Sequence, residues 1–539
     1  MTSIVARNTV TAAATGRARN TVAIIGGGFS GALTAAAITQ NPAWRTVLIA
    51  PADRPGRGVA YGAAEPWHLL NSRVANMSAD ATDPQHLLRW CRARGLPADA
   101  ATFLPRAWFG DYLADHFATA ASAAGSRLVH HRSTAIGVRR EQAGWTITDA
   151  NGCHIHADQV ILALGNPPPR PPSAVTEAAL RHSAFVADPW APGALDRALA
   201  AAHAATTSAP AASAPAPATS APAPAPATSV PTSAAGVARA SAASVPVTST
   251  AAASVPASAA SESARSSGTA VASGRDPAAG DPGRDVVGGV LLLGTGLTAI
   301  DVALTLNEQA RGVQVEALSR RGLLPQTHPQ RPAPAVDLAL PEAAEVGPLL
   351  RRVRAAIADG ADWTAVVEYV RHNADRLWNG LNPAAQERFL RHVQRYWEVH
   401  RHRMAPPVAA RVRKLREQGT LRVRSGRLLS VDPDPRGGLL VRIEGEPPRR
   451  YAAVISCTGP GPLPSSAGPL LTGLLTDGLV ETGPHGLGLD ADPNGRISPG
   501  LWLVGPLRRG RSWEATAVPE IRAQVERLVA ALPQPAPTA

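Results

Sequence analysis

The stretch Val22-Ala23-Ile24-Ile25-Gly26-Gly27-Gly28-Phe29-Ser30-Gly31 decides the fold of this chain. Its apolar residues predict a buried strand, and Gly26, Gly28 and Gly31 then fill the pattern GxGxxG. In such a loop the first glycine permits a tight turn, the second lets the backbone approach a pyrophosphate, and the third lets the next helix pack closely. The N-terminus of that helix faces the anion. Because a second apolar strand follows at 46–49, we predict that Gly26, Gly28, Ser30 and Gly31 bind a dinucleotide.

One expected element of this first site is missing. Dinucleotide loops of this type are usually followed, about twenty residues on, by an acid that binds the ribose hydroxyls. Here the second strand ends in Ile49-Ala50-Pro51, without an acid. Asp53 could take that role, or it could be an ordinary solvated residue of the loop.

A second glycine loop follows another apolar strand, Leu291-Leu292-Leu293. Gly294-Thr295-Gly296-Leu297-Thr298-Ala299 is a GxGxxA variant, and it predicts a second dinucleotide held by Gly294, Gly296 and Thr298. The next strand ends in Ser319-Arg320-Arg321, again without an acid. Arg320 and Arg321 suit a 2′-phosphate, which favours NADPH over NADH, although they could also be solvated loop residues.

Composition narrows the possible partners. The 539 residues carry a net charge of +12, but the positive residues are scattered and are not interleaved with aromatics, so we expect no nucleic-acid partner. No apolar run is long enough to span a bilayer, so we expect no membrane partner. The 3 cysteines form no pair motif, which argues against a disulfide framework, a metal site or a dithiol centre and fits the cytoplasm.

Several further motifs resemble the FAD/NAD(P)-binding family typified by FAD-dependent urate hydroxylase and aspartate N-monooxygenase. They are spread over nearly the whole chain outside its tails and a segment rich in Ala, Ser and Pro. The one departure from the family pattern is Ala50, where glutamate is usual. The matching stretches are Gly56–Gly62, His68–Asn71, Asn76–Ser78, Leu104–Arg106, Phe109–Leu113, Ala163–Asn166, Arg395–Arg403 and Trp513–Arg522.

This resemblance implies FAD at the first loop, a reduced nicotinamide at the second, and insertion of one oxygen atom from O2 into a small-molecule substrate. It places His68, Asn71 and Met77 beside the flavin ring, where Asn71 could bind the flavin, stabilise oxygen or simply cap a turn. It also places Gly165 near the dinucleotides and Gly505 near the flavin.

The cluster His400-Arg401-His402-Arg403 ends an apolar helical pattern. It could bind an anionic substrate or a dinucleotide phosphate, or it could satisfy the carbonyls at a helix C-terminus. With Asn71, we take His400, Arg401 and His402 as candidate catalytic residues.

Strand and helix patterns alternate on both sides of the Ala/Ser/Pro-rich segment, which is typical of parallel sheets. That segment cannot bury enough apolar surface to offset its ordering entropy. We predict an α/β fold with two Rossmann-like dinucleotide-binding units (three-layer parallel sheets with helices), a helical subdomain and a long disordered insertion. The predicted segments are a disordered tail at 1–20, the first part of the FAD domain at 21–199, the insertion at 200–285, the NAD(P)H unit at 286–341, the helical subdomain at 342–417, a return to the FAD domain at 418–532 and a disordered tail at 533–539.

The expected function is therefore that of an FAD-dependent oxidoreductase using NADPH or NADH, most simply a monooxygenase acting on a small polar nitrogen-containing molecule. A flavin-dependent reductase passing electrons to a protein or quinone remains an alternative, as does a flavin-binding scaffold that uses the insertion as a tether.

Overall fold

The computed structural model describes residues 20–207, 289–342, 344–465 and 467–534. The two predicted tails fall almost entirely outside these residues, and so does the predicted insertion after its first eight positions. Those eight positions belong to a helix that ends at Thr207, so the described chain continues past the boundary predicted at 200.

The strands and helices are numbered in chain order. The strands are β1 Thr21–Ile25, β2 Arg45–Ile49, β3 Leu128–His131, β4 Ala135–Glu141, β5 Gly144–Asp149, β6 His154–Ala157, β7 Gln159–Leu162, β8 Phe185–Val186, β9 Val290–Leu293, β10 Val315–Ser319, β11 Leu421–Ser425, β12 Leu428–Pro433, β13 Leu439–Ile443, β14 Arg449–Tyr451, β15 Ala453–Ser456, β16 Arg496–Ser498 and β17 Leu501–Leu503. The helices are α1 Phe29–Ile38, α2 Gly58–Gly62, α3 His86–Ala93, α4 Arg106–Ala124, α5 Glu177–Arg181, α6 Ala194–Thr207, α7 Leu297–Gln309, α8 Val346–Ala358, α9 Trp363–His372, α10 Ala374–Gly380, α11 Pro383–Arg388, α12 Gln394–Arg401, α13 Pro406–Glu417, α14 Pro469–Thr476 and α15 Val518–Ala531.

Two parallel sheets form the framework of the fold. The first has the order β16-β17-β7-β1-β2-β3, in which β16 alone runs antiparallel to its neighbour. The second has the order β11-β10-β9-β15-β8, and all its pairs are parallel. Strands β1, β7, β9 and β15 are buried along most of their length, which explains why they read as continuous apolar runs.

The two units repeat one order of elements. Each begins with a strand, a glycine loop, a helix and a second strand, and each then adds a third strand beside the second. A three-stranded antiparallel sheet follows, β4-β5-β6 in the first unit and β12-β13-β14 in the second, before the chain returns to the far side of the first strand. The α/β class and the two Rossmann-like units predicted from the sequence are thus confirmed.

Equivalent backbone hydrogen bonds hold the two glycine loops in place. The amide of Gly26 donates to the carbonyl of Ile49 at 3.0 Å, and that of Gly294 donates to Leu318 at 2.8 Å. On the other side, the amide after β7 (Ala163) and the amide after β15 (Cys457) each donate at 2.9 Å to the last carbonyl of β1 or β9. Each loop is therefore held between the ends of three strands.

The first glycine of each loop has no room for a side chain. Gly26 has φ +111° and Gly294 has φ +125°, a region that L side chains rarely adopt. A Cβ would lie 2.3 Å from the carbonyl oxygen of Ala163 at the first position and 2.4 Å from that of Cys457 at the second. Glycine is thus required at both positions by backbone geometry before any ligand binds.

The helices from α8 to α12 form the predicted helical subdomain, with two interruptions. Helices α9 and α10 are divided at Asn373, whose side-chain amide donates to the carbonyl of Tyr369 at 2.9 Å. A π-helical turn, Phe389–Val393, lies between α11 and α12. Side chain–backbone competition and π-turns of this kind leave little trace in hydrophobic periodicity.

Sheet topology changes the predicted segment boundaries. Strand β8, predicted within the FAD domain, pairs with β15 in the second sheet. Strands β11 and β15, which follow position 418, also belong to the second sheet, so the return to the first unit begins later than predicted. It is made by α14, which packs on β4, by β16 and β17, and by α15, which packs on α1. Among the described residues, no helix has the length and apolar character to cross a membrane.

We expect Gly26→Ala and Gly294→Ala each to lower the free energy of unfolding by about 2–4 kcal/mol, because a Cβ adds backbone strain and a clash with a carbonyl oxygen. Urea unfolding of the cofactor-free protein measures this effect.

Gly296→Ala is the matched control for this pair, since φ there is −79° and a Cβ would meet nothing within 4 Å. Its stability should stay within about 0.5 kcal/mol of the parent or rise slightly. Equal losses in all three variants would contradict the assigned role of the strand-end carbonyls.

Candidate functional site

The N-terminus of α1 is available to an anion. Gly28 occupies the N-cap position of this helix, and no side chain caps it. The following loop folds back over the glycines, because the amide of Gly56 donates to the carbonyl of Gly27 at 2.9 Å. Gly505 approaches from the C-terminal segment: with φ +93°, its Cβ would lie 2.6 Å from Oγ of Ser30. The structure thus brings together Ser30 and Gly505, which lie far apart in the sequence.

The second glycine loop is joined to the turn that carries the two arginines. Thr295 is buried, and its hydroxyl lies 3.0 Å from Oγ of Ser319 and donates to the carbonyl of Leu323 at 2.6 Å. Oγ of Ser319 also accepts from the amide of Gly322 at 3.0 Å. The exposed pair 320–321 therefore belongs to a turn that is fixed relative to the glycine loop.

Both loops fit the pyrophosphate of a dinucleotide. Gly296 is exposed, is the uncapped N-cap of α7, and has open space where a Cβ would project. Uncapped amides at a helix N-terminus, with room for close backbone approach, are the donor set that a pyrophosphate uses. Gly165, after β7, likewise has φ +73° and nothing within 4 Å of a Cβ. Thr298 is half-buried in the first turn of α7.

Strand β2 ends without the expected acid, and the nearby Asp53 lies at the surface. Ala50 is buried, and its carbonyl oxygen lies 3.1 Å from Nε2 of His130. Asp53 has 79% of its side chain exposed and pairs with exposed Arg132 at 3.1 Å. Asp53 is thus solvated in the structure, and its role as a ribose ligand stays a prediction.

A cavity of about 350 Å³ lies where the first unit, the helical subdomain and the start of α15 meet. One wall comes from 71–76, another from 328–336, and a third from α9 and the end of α12. Its polar and charged lining consists of Asn71, Ser72, Arg73, Asn76, His328, Thr364, Glu368, Tyr369, Arg371, His372, Arg401 and Arg403.

Ion pairs that are largely shielded from solvent hold three of the four arginines at this cavity. Nε of Arg401 lies 3.1 Å from Glu514, and Arg403 lies 2.5 Å from Glu368. Arg371 pairs with both Glu368 and Glu520, of which Glu520 lies on α15. These pairs connect the helical subdomain to the C-terminal segment around the cavity.

The fourth arginine is held differently. Arg73 is 9% exposed and donates to the carbonyls of Pro329 at 2.5 Å and Gln330 at 3.1 Å. Its guanidinium also lies 5.1 Å from the ring centroid of Phe103. Among the described residues, no carboxylate pairs with Arg73.

Burial and neighbouring charges set the protonation states at the cavity. Burial, followed by the charges of Arg403 and Arg73, lowers the pKa of His328 to about 4. Its Nε2 lies 2.8 Å from the carbonyl oxygen of Asn71, so this nitrogen carries the proton and Nδ1 is the acceptor. Burial acts to raise the pKa of Glu368, but the arginines outweigh it and the net shift is downward.

The structure separates the four candidate catalytic residues. Asn71 and Arg401 line the cavity, whereas His400 and His402 do not. Nδ1 of His400 lies 2.7 Å from the carbonyl oxygen of Tyr396, within the same helix. Burial, with the charge of Arg401, lowers the pKa of His402 to about 3, so it is a neutral packing residue at pH 7. A catalytic role for His400 or His402 therefore gains no support from the position of the cavity and stays a prediction.

His68 and Met77, which were predicted beside the flavin, are both buried. Nδ1 of His68 accepts from the amide of Glu65 at 3.1 Å, within the first unit. Nε2 of His68 lies 2.9 Å from Oγ1 of Thr305 on α7, and this contact joins the two units. Met77 is 4% exposed and packs in the core of the first unit. Their place beside the flavin stays a prediction.

The sequence interpretation missed Arg73, His328, Glu368 and Arg371, which also line the cavity. Glu368 and Arg371 stand three residues apart on α9, a spacing that indicates a helical ion pair but not a ligand site. Arg73 stands two residues after Asn71, between two of the matched stretches, and that proximity was the one available signal.

Residues 23–167 match the sequence model of a family described as FAD-NAD(P)-binding. Curated relatives from Mycobacterium tuberculosis (strain ATCC 25618 / H37Rv) and Mycobacterium bovis, both named as uncharacterised proteins, are 29% identical over 132 residues. This alignment covers 22% of this chain and 25% of theirs, so the chain spans about a quarter of the length of the curated relatives it matches.

Solved structures share the fold over most of the chain. Ornithine N-hydroxylase of Kutzneria sp. 744, in a structure described with reduced FAD, NADP⁺ and L-ornithine, has a TM-score of 0.53 at 11% identity and covers 95% of this chain and 98% of its own. L-lysine 6-monooxygenase of Pseudomonas syringae has a TM-score of 0.52 at 13% identity with the same coverage. At such identities the likeness shows a common fold.

The first glycine loop, the strands around it and the turn at Gly165 all lie within the matched region. Residues 23–167 thus match an FAD-NAD(P)-binding family model, and over most of its length the chain shares its fold with the two solved structures, an ornithine N-hydroxylase and an L-lysine 6-monooxygenase.

Proposed function

We propose that the protein is an FAD-dependent oxidoreductase that uses NAD(P)H, and that it is a monooxygenase inserting oxygen from O2 into a small anionic, nitrogen-containing substrate. The proposed substrate is inferred from the cavity, which is lined by four arginines. The proposed cofactors are inferred from the two glycine loops, with FAD at Gly26–Gly31 and the nicotinamide dinucleotide at Gly294–Thr298.

Two dinucleotide sites in one chain support hydride transfer from nicotinamide to flavin. Cys91 and Cys457 are buried, Cys153 is exposed, and none of the three is in a disulfide. Burial also raises the pKa of the Cys457 thiol. A dithiol relay is therefore absent from the described chain, which contains all three cysteines, and this favours oxygen or an external acceptor as the destination of the electrons.

The charge balance of the cavity supports an anionic substrate. Arg371, Arg401 and Arg403 are paired with three carboxylates, from Glu368, Glu514 and Glu520. The lowered pKa of His328 keeps it neutral at pH 7, and the guanidinium of Arg73 contacts carbonyl oxygens and the ring of Phe103 but no carboxylate of the described residues. One positive charge thus remains at the cavity, and a substrate carboxylate or urate-like anion would compensate it.

FAD, when bound, supplies the two-electron and oxygen chemistry that no side chain can perform. The residues of the chain bind and orient the substrate and exclude water from it. Arg73 and the paired arginines hold the anionic group, and the carboxamide of Asn71 offers a donor and an acceptor at the cavity wall. His328, neutral and protonated on Nε2, presents Nδ1 as an acceptor beside them.

The first test of this proposal is enzymatic. Purified protein should bind FAD and oxidise NADPH slowly alone, and one anionic compound in a panel of purines and amino acids should raise the rate at least tenfold with matching O2 consumption. A protein that cannot be loaded with FAD would contradict the proposal. Rapid NADPH oxidation with a quinone or dye, without substrate-coupled O2 uptake, would favour the reductase alternative.

A pair of variants tests the charge of the cavity. Arg73→Gln should raise KM for the anionic substrate by about tenfold to a hundredfold, because a charge-assisted contact contributes about 1.5–3 kcal/mol. Arg73→Lys keeps the charge and should lose less. Steady-state kinetics at fixed NADPH measures both, and equal KM values in the two variants would contradict a charge-based role.

The lowered pKa of His328 predicts a pH dependence of stability. The lowered pKa keeps this residue neutral in the folded chain down to about pH 4, whereas in the unfolded chain it takes up a proton near the ordinary histidine pKa of 6.5. The unfolded state therefore binds more protons between these values, so the free energy of unfolding falls as the pH is lowered through them. From pH 7 to pH 5, His328→Gln should remove about 1–2 kcal/mol of that fall.

Urea unfolding at the two pH values measures this difference. His154→Gln is the matched control, because His154 is exposed on β6. A fall in stability between pH 7 and pH 5 that is identical in His328→Gln and the parent would show that His328 does not stay neutral in the folded chain.

A further inference from the structure

An exposed stack joins the second dinucleotide unit to the helical subdomain. The guanidinium carbon of Arg321 lies 4.9 Å from the ring centroid of Tyr396 on α12. Tyr396 is a large aromatic side chain, yet it is 49% exposed. The stack therefore stands at the surface, where a ligand can reach both residues.

Stacking engages the face of the guanidinium and leaves its edges available. Within the described part of the chain, Arg321 makes no ion pair and donates no hydrogen bond. The turn that carries it is fixed to the second glycine loop through Thr295 and Ser319. A planar guanidinium with a supported face and free N–H groups is suited to bind a phosphate group.

We propose that Tyr396 is a specificity-determining residue for the nicotinamide dinucleotide: it holds Arg321 so that the guanidinium edge binds the 2′-phosphate of NADPH. This inference rests on the proposed nicotinamide site at Gly294–Thr298 and extends it to a residue of the helical subdomain. Tyr396 acts through Arg321 and is therefore a positioning residue.

The aromatic ring of Tyr396 matters because it restricts the rotamers of Arg321. Without the ring, an exposed arginine samples many rotamers, and binding the phosphate would cost the entropy of ordering it. A cation–π contact at an exposed site offsets part of that cost, and its loss corresponds to about a twofold to fivefold change in affinity. The phenol hydroxyl is not needed for this role.

The experiment is calorimetric titration of the FAD-loaded protein with 2′,5′-ADP and with 5′-AMP, which differ by the 2′-phosphate. Tyr396→Ala should weaken 2′,5′-ADP about twofold to fivefold and leave 5′-AMP unchanged. Tyr396→Phe should bind both probes as the parent does. Arg321→Ala should weaken 2′,5′-ADP about tenfold or more. Arg139→Ala, which removes an exposed arginine on β4, is the control for general charge loss.

Unchanged 2′,5′-ADP binding in Tyr396→Ala, or equal weakening of both probes, would overturn the role of Tyr396 while leaving the nicotinamide site intact. Failure of the parent protein to bind either probe would instead remove the proposed nicotinamide site, and this inference with it. Circular dichroism of each variant checks that the surface substitutions leave the fold unchanged.

Discussion

The contact between a glycine and a strand-end carbonyl is the constraint on which the rest of the structure depends. Gly26 lies against the carbonyl of Ala163, and Gly294 lies against that of Cys457. Each contact joins the start of a unit to a strand that returns much later in the chain, after a three-stranded antiparallel sheet. The glycine loops can therefore present their helix N-termini only when the whole unit has closed.

A second constraint comes from buried charge. The arginines of α9 and of the segment ending α12 are paired with Glu368, Glu514 and Glu520, and such pairs are costly to break because the remaining partner stays buried. They fix the helical subdomain against the C-terminal segment and so define the walls of the cavity. Helix α12 links two regions, since Tyr396 contacts the arginine turn of the second unit and Arg401 lines the cavity.

Local features of the fold could be predicted from the sequence, and long-range ones could not. The strand, loop and helix at 22–38 and the helix at 297–309 follow from apolar runs and glycine spacing. The pairing of β11 with β10, of β15 with β9 and of β8 with β15 joins residues more than a hundred positions apart, which periodicity does not encode. The same limit applies to the cavity: Arg401 was found from a local cluster, but Arg73 and His328 reach it from distant segments. The contact of His68 with Thr305 on α7 was likewise not foreseen, because a matched motif indicates a neighbourhood and does not say which distant side chains meet there.

The most direct test of the central claim is a crystal structure of the protein grown with FAD and NADP⁺. We expect two separate dinucleotides in each chain, with the FAD pyrophosphate at the N-terminus of α1 and the NADP⁺ pyrophosphate at the N-terminus of α7. A structure with one dinucleotide alone, or with FAD bound at Gly294–Thr298, would contradict it.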